Sequence, residues 1–348
     1  MGSRRAVMSK FFCSRRLTPM TGAPLVDPHG RTVRDLRISV TDRCNFRCAY
    51  CMPEEGMVWL PRHELLTYEE IERVARVCVE RFQFEGIRLT GGEPTVRADL
   101  PGLVERLARL GVDLSMTTNG ASLGLIANNL RRAGLRRVNI SCDSLRRDRF
   151  AAITHRDALD RVMDGIDAAL DAGFSPVKVN VVLMQGINDD EIVDFATFGR
   201  ERGVVIRFIE FMPLDAQGEW GADKVVPASD VVAAIDAVYP VSAAAVRGSQ
   251  PAERFLYRDG RGEVGVIGSV TRSFCGSCDR VRLTAEGQFR NCLFALRETD
   301  LRAILRGGGS DDDLAQAIAR DVGHKWAGHS IGQVHFIRPA RSMSQIGG

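Results

Sequence analysis

Between Val33 and Met212 the chain alternates two kinds of segment, and few folds accept that pattern. Residues 35–40, 87–90, 114–117, 138–142, 177–183 and 206–211 are short runs rich in β-branched and apolar side chains, and they read as strands. Residues 69–82, 100–110, 123–133, 159–172 and 190–202 carry apolar side chains at helical spacing, with Leu100, Leu103, Leu107 and Leu110 as one stripe. Strands alternating with helices of this length build right-handed βαβ units on a parallel sheet, so the fold class is α/β and the repetition predicts a partial barrel.

A parallel strand covered on both faces should be apolar throughout, and several of these are not. Leu36, Ile38 and Val40 alternate with Arg37 and Ser39; Ile87 and Leu89 with Arg88 and Thr90; Val138, Ile140 and Cys142 with Asn139, Ser141 and Asp143. Lys178 and Asn180 interrupt Val177, Val179 and Val181 in the same way. Because side chains alternate across a strand, one face packs on the helices and the other is polar and cationic. A barrel lumen that holds a charged ligand fits this, and an open sheet with a solvated face is the alternative.

The stretch Thr41-Asp-Arg-Cys-Asn-Phe-Arg-Cys-Ala-Tyr-Cys-Met-Pro53 puts Cys44, Cys48 and Cys51 in one short loop. Three thiolates make an incomplete cage: structural zinc takes four protein ligands, whereas an iron-sulfur cube on three cysteines leaves one iron free. A zinc knuckle is the competing reading. Cys275, Cys278 and Cys292 form a second set of three, which His324, His329 or His335 could complete as a zinc site. Cys13, Cys78 and Cys142 are scattered and read as core filler. Nine cysteines in 348 residues, six of them in two clusters, do not describe a secreted disulfide scaffold, and a reducing cytoplasm is the expected compartment.

Lys and Arg exceed Asp and Glu by only 47 to 44, which points to neither nucleic acid nor membrane, and no apolar run reaches the roughly 20 residues that cross a bilayer. Ser3-Arg4-Arg5 faintly suggests a twin-arginine signal, but no apolar stretch follows, and residues 1–24 read as a disordered tail. Gly91-Gly92-Glu93-Pro94 follows directly on a strand, where paired glycines allow close backbone approach to a ligand. Residues 213–226 read as an irregular connection; beyond it come a helix at 229–238, strands at 255–259 and 264–267, and helices at 301–306 and 314–322.

The cysteine spacing with Tyr50 between Cys48 and Cys51, together with Gly91-Gly92-Glu93-Pro94, resembles the radical S-adenosylmethionine enzymes. Within that group, Asp35 to Cys44, Thr117-Thr118-Asn119-Gly120, Lys178-Val179-Asn180-Val181, Phe208 to Pro213, Phe274 to Thr284 and the final Gly347-Gly348 resemble the GTP 3′,8-cyclases of molybdenum cofactor biosynthesis, from about Leu25 onward. Cys142 departs from that pattern, which usually has leucine there, and would face the helices.

The resemblance implies an incomplete (βα)6 TIM-like barrel at 25–226 and a C-terminal iron-sulfur cluster and substrate-binding module at 227–348. It implies two 4Fe-4S clusters, one on Cys44, Cys48 and Cys51 and one on Cys275, Cys278 and Cys292. S-adenosylmethionine contacts carry over to Tyr50, Gly92, Ser141 and Met212, and GTP contacts to Arg37, Arg88, Thr117, Lys178, Arg280 and Arg282, with Arg280 and Arg282 also marked as catalytic. The implied reaction removes H3′ of GTP and joins C3′ to C8, giving 3′,8-cyclo-7,8-dihydro-GTP. A flavodoxin- or ferredoxin-like electron donor and the next pathway enzyme, cyclic pyranopterin monophosphate synthase, are the implied partners, and a homodimer is compatible. Gly347 and Gly348 are expected to enter the barrel mouth. Rival readings are a peptide- or nucleic-acid-modifying radical enzyme with an auxiliary cluster, and a non-catalytic metal-binding protein.

Overall fold

The computed structural model describes residues 22–53, 57–215, 217–245, 247–334 and 336–347. Cys13, His335, Gly348 and residues 1–21 of the expected N-terminal tail lie outside them. A small antiparallel pair, β1 (Leu25–Val26) and β2 (Thr32–Val33), opens the described chain. Then β3 (Asp35–Ser39), β4 (Gly86–Thr90), β5 (Asp113–Thr118), β6 (Arg137–Ser141), β7 (Val177–Leu183) and β8 (Val205–Glu210) pair in sequence order, all parallel. The helices that follow them are α1 (Tyr68–Phe82), α2 (Leu100–Ala108), α3 (Leu123–Ala133), α4 (Arg147–Thr154), α5 (Leu159–Asp171) and α6 (Ile192–Arg202).

The C-terminal part adds to both edges of this sheet. After α7 (Ala228–Asp236), β9 (Val241–Ala243), β10 (Glu253–Tyr257) and β11 (Glu263–Ile267) extend it beyond β8, with β11 parallel to β8. β12 (Arg280–Leu283), β13 (Gln288–Arg290) and β14 (Thr299–Asp300) extend it beyond β3, with β12 parallel to β3. The sheet has 12 strands in the order β14-β13-β12-β3-β4-β5-β6-β7-β8-β11-β10-β9, and among the described residues its two ends do not pair. α8 (Leu301–Arg306), α9 (Asp311–Val322) and α10 (Met343–Ile346) complete the order. The six parallel strands with their helices form the incomplete, open TIM-like barrel expected from the sequence, and the last third of the chain widens its sheet on both sides.

The core lies between the helices and one sheet face. Leu36, Ile38, Ile87, Leu89, Leu114, Met116, Val138, Ile140, Val179 and Ile206 are buried there, as are Leu103 and Leu107 of α2 and Ile71, Val74 and Cys78 of α1. Each such side chain contributes about 1.5–3 kcal/mol by leaving water. Helix ends follow local chemistry: Thr67 and Glu70 form a capping box at the start of α1, and Gln83 stops it in the left-handed region at φ 59. Cys142 is buried against the helices as expected.

Candidate active site

One cavity of about 280 Å³ opens at the C-terminal ends of the parallel strands, and all six clustered cysteines line it. Its wall also includes Tyr50, Gly92, Ser141, Met212, Arg37, Arg88, Thr117, Arg280 and Arg282. Of the expected ligand contacts only Lys178 is off the wall, although its ammonium belongs to the same cationic group.

Strand register explains the cations. Arg282 of β12 pairs with Arg37 of β3, which pairs with Arg88 of β4, so three arginines stand side by side on adjacent strands. Asn180 of β7 pairs with Arg207 of β8, which brings a further arginine, Arg207, to the cavity wall. Like charges on neighbouring strands repel, so this row is unfavourable without an anion. Among the described residues only Arg37 of this set has a carboxylate within 4 Å, Asp35 at 3.8 Å. Burial and the neighbouring arginines pull Arg37 well below the usual guanidinium range, Arg207 down to about 9 and Arg282 down to about 10; burial and Arg207 pull Lys178 down to about 8. Among the described residues the buried donors Arg37 Nε, Arg207 Nε, Arg280 Nη2, Arg282 Nε and Nη1 and Asn139 Nδ2, and the buried acceptor Asn180 Oδ1, make no hydrogen bond. Buried donors of this kind need partners, and a polyanionic nucleotide fits that donor set.

The Gly91-Gly92-Glu93 turn turns out to be built for the cysteine loop. A Cβ on Gly91 would come 2.4 Å from Thr41 O, and one on Gly92 would come 2.2 Å from Arg43 O. Gly92 N donates to Thr41 O and Glu93 N to Arg43 O, each at 2.8 Å. Glu93 is a buried brace: Oε1 accepts from Thr95 and from Thr118 Oγ1 at 2.6 Å, and Oε2 from Asn119 N at 2.6 Å. The glycines thus let two backbones touch, and Gly92 still faces the cavity.

The two cysteine sets sit in different fields. Tyr50 OH donates to Asp143 Oδ2 at 2.7 Å, and Val182 N donates to Oδ1 at 2.8 Å. Burial lifts Asp143 to about 6, Cys44 to about 11 and Cys51 to about 12, and Cys48 is lifted well above its usual range by burial and then by Asp143. At the other set burial also pushes Cys275 up, but hydrogen bonds from His329 and Ser273 outweigh it and bring the thiol down to about 6. Burial is likewise outweighed at Cys278 by the charges of Arg280 and Lys325, while Cys292 stays raised.

Among the described residues no three His, Cys, Asp or Glu side chains converge as a single metal ion requires. The zinc reading with His324 or His329 therefore lacks a geometry, whereas cysteines that hold separate corners of an iron-sulfur cube need not converge on one atom. His329 packs against Phe294, with ring centroids 5.2 Å apart and the ring planes tilted by 58°.

The C-terminal segment reaches into the same place. Arg341 pairs with Glu286 and with Glu298, Ser344 is a hydrogen-bond partner of Cys51, and Met343 lines the cavity. Gly347 has φ +86, and a Cβ there would meet Ser39 Oγ at 2.3 Å and Thr90 Oγ1 at 2.6 Å. Sequence reasoning missed Arg207, Asp143 as the partner of Tyr50, and His329 as the partner of Cys275. The alternation that exposed Arg37 and Arg88 also marks Arg207, but its face neighbours Val205 and Ile209 are apolar and hide the signal.

Residues 38–199 match the Radical SAM superfamily, and residues 204–331 match Molybdenum Cofactor Synthesis C. Streptococcus suis SuiB bound to S-adenosylmethionine shares the fold, with TM-score 0.56 at 14% identity over 80% of this chain and 67% of that one. Fold, cysteine loop and superfamily match define a radical S-adenosylmethionine enzyme, a class that carries a 4Fe-4S cluster. The GTP 3′,8-cyclase of Streptomyces coelicolor is 48% identical over 96% of this chain and 99% of its own length. GTP 3′,8-cyclase 2 of Mycobacterium tuberculosis is 48% identical over 96% of this chain and 94% of its own. The chain belongs to the GTP 3′,8-cyclase family.

Proposed function

We propose that the protein converts GTP to 3′,8-cyclo-7,8-dihydro-GTP, the first step of molybdenum cofactor biosynthesis, and that its two cysteine sets divide the work. The observation that carries this is a cavity lined by both cysteine sets and by the arginine row, most of whose members have buried donors without a partner among the described residues. Cys44, Cys48 and Cys51 would hold the 4Fe-4S cluster that, with S-adenosylmethionine, supplies a 5′-deoxyadenosyl radical for H3′ of GTP. Cys275, Cys278 and Cys292 would hold a second 4Fe-4S cluster on the guanine side.

The chain's own residues then do three things. Tyr50, Gly92, Ser141 and Met212 position S-adenosylmethionine. Arg37, Arg88, Thr117, Lys178, Arg280 and Arg282, with Arg207 added, fix the triphosphate, each charged contact worth roughly 1.5–3 kcal/mol. Holding two reactants in register within a walled cavity converts their encounter into an effectively unimolecular step and keeps water from the reacting carbon. We assign 25–226 to radical generation and 227–348 to the second cluster and substrate. A cytoplasmic setting, a flavodoxin- or ferredoxin-like donor, delivery of product to cyclic pyranopterin monophosphate synthase, and a homodimer complete the reading.

Among the described residues no helix is long and apolar enough to cross a membrane. Anaerobic incubation with GTP, S-adenosylmethionine and dithionite tests the proposal. The expected result is 5′-deoxyadenosine and a cyclised nucleotide of unchanged mass relative to GTP; 5′-deoxyadenosine with a modified peptide and untouched GTP would overturn it.

A further inference from the structure

Lys325 is a buried cation, 4% exposed, that the reaction so far leaves without a task. It follows α9 and is held there by its own N–H on Val322 O at 3.0 Å. Its Nζ donates to Arg280 O at 2.6 Å and also to Asn291 O. Those two carbonyls are not arbitrary: Arg280 lies two residues after Cys278, and Asn291 directly precedes Cys292. One ammonium therefore ties together the two segments that carry these cysteines.

Among the described residues no ion pair explains its charge. Asp321, whose carboxyl feels the charge of Lys325, accepts from Thr299 Oγ1 on Oδ2 at 2.7 Å, and among the described residues no carboxylate lies within 4 Å of Nζ. Burial works against the ammonium, and the groups that favour it are the sulfurs of Cys278 and Cys292. Arg31, itself buried and bound to the carbonyls of Cys275 and Ala327, lies on the same side, but its charge is paired with Asp27 at 2.6 Å and leaves Lys325 as the cation without a carboxylate among the described residues. Burying a lone charge costs several kcal/mol unless an opposite charge offsets it. A cluster on three thiolates is anionic and becomes more so when reduced, and hydrogen bonding, charge and burial around the sulfurs set cluster potentials.

We propose that Lys325 is the fixed counter-charge and clamp of the C-terminal cluster, a positioning residue that ties the Cys278 and Cys292 segments together and raises that cluster's reduction potential. This rests on the second-cluster reading above. The test uses the full chain with Cys44, Cys48 and Cys51 replaced by Ala, so that iron and electron paramagnetic resonance report the C-terminal site alone. About four irons in this background support the second cluster; zinc or no iron would overturn that reading, and this inference with it, before any potential is measured. Lys325→Gln keeps a donor but removes the charge. Its midpoint should fall by a tenfold or larger change in the reduction equilibrium, about 59 mV for one electron, while Lys325→Arg stays near the parent. An unchanged midpoint in Lys325→Gln at full iron overturns the proposal. If Lys325→Gln does not hold iron, Lys325→Arg decides: iron retained supports the charge, and iron lost in both overturns it.

Discussion

The N-terminal and C-terminal cysteine sets face each other across one cavity, but the chain surrounds them with charge of opposite sign. Asp143 and the buried Glu93 stand by the first; His329, Arg280 and Lys325 stand by the second. Acids beside a cluster disfavour an added electron, so on the proposed reading a reduced cluster on the N-terminal set would be the stronger donor. Cations beside the C-terminal set stabilise anionic sulfur and would suit the proposed second cluster, one that binds without discharging. Two similar cysteine triads are thus made different by what lies around them.

The largest expected effect separates the two roles. Replacing Cys44, Cys48 or Cys51 by Ala should abolish 5′-deoxyadenosine formation, whereas replacing Cys275, Cys278 or Cys292 should leave it detectable and remove GTP turnover; chromatography of both products reads this directly. Next comes the segment that touches both regions. Deleting Gly347-Gly348 should reduce cyclisation severely while iron content and circular dichroism stay unchanged, because Gly347 fits against Ser39 and Thr90 where a Cβ would clash. Wild-type turnover in the deletion would remove the tail from the site.

A smaller effect tests the cations between the two sets. Arg37→Ala or Arg88→Ala should weaken GTP binding by roughly 1.5–3 kcal/mol, and guanosine binding far less. Lys178→Ala should sit at the low end of that range, since Lys178 is set back from the cavity wall. Equal losses for both ligands, by calorimetry, would move the triphosphate elsewhere. The smallest effect is chemical and needs no cluster. In apoprotein, alkylation of Cys275 should rise with pH through about 6 and level off by neutrality, since its pKa is lowered and the thiolate forms early. Cys44 and Cys51, held near 11 and 12, should react slowly until strongly alkaline pH. Equal rates at pH 7 by mass spectrometry would erase the electrostatic contrast.

What could be read in advance follows the range of the interactions. β3 to β8 and the polar-face positions Arg37 and Arg88 were legible because a strand's two faces alternate locally, Lys178 shares that alternation but is set back from the cavity, and most boundaries moved by one or two residues. α4 was missed because Arg147, Asp148 and Arg149 crowd its first turn and no apolar stripe emerges. The joining of β11 and β12 to opposite sheet edges is a pairing between distant segments, which no local pattern encodes. Lys325 and Arg31 look like ordinary surface cations in sequence; their carbonyl partners in Arg280 and Cys275 lie 45 and 244 residues away. The paired glycines were legible as a close approach, and that approach includes the backbone of Thr41 and Arg43.

The division of labour between two clusters is tested most directly by counting iron and sulfide in anaerobically reconstituted chains and measuring GTP affinity on the same samples. About eight irons are expected in the unaltered protein and about four in the variant with Cys275, Cys278 and Cys292 replaced by Ala, which should still cleave S-adenosylmethionine yet bind GTP far more weakly. Four irons in the unaltered protein, or full GTP affinity and cyclisation in that variant, would contradict it.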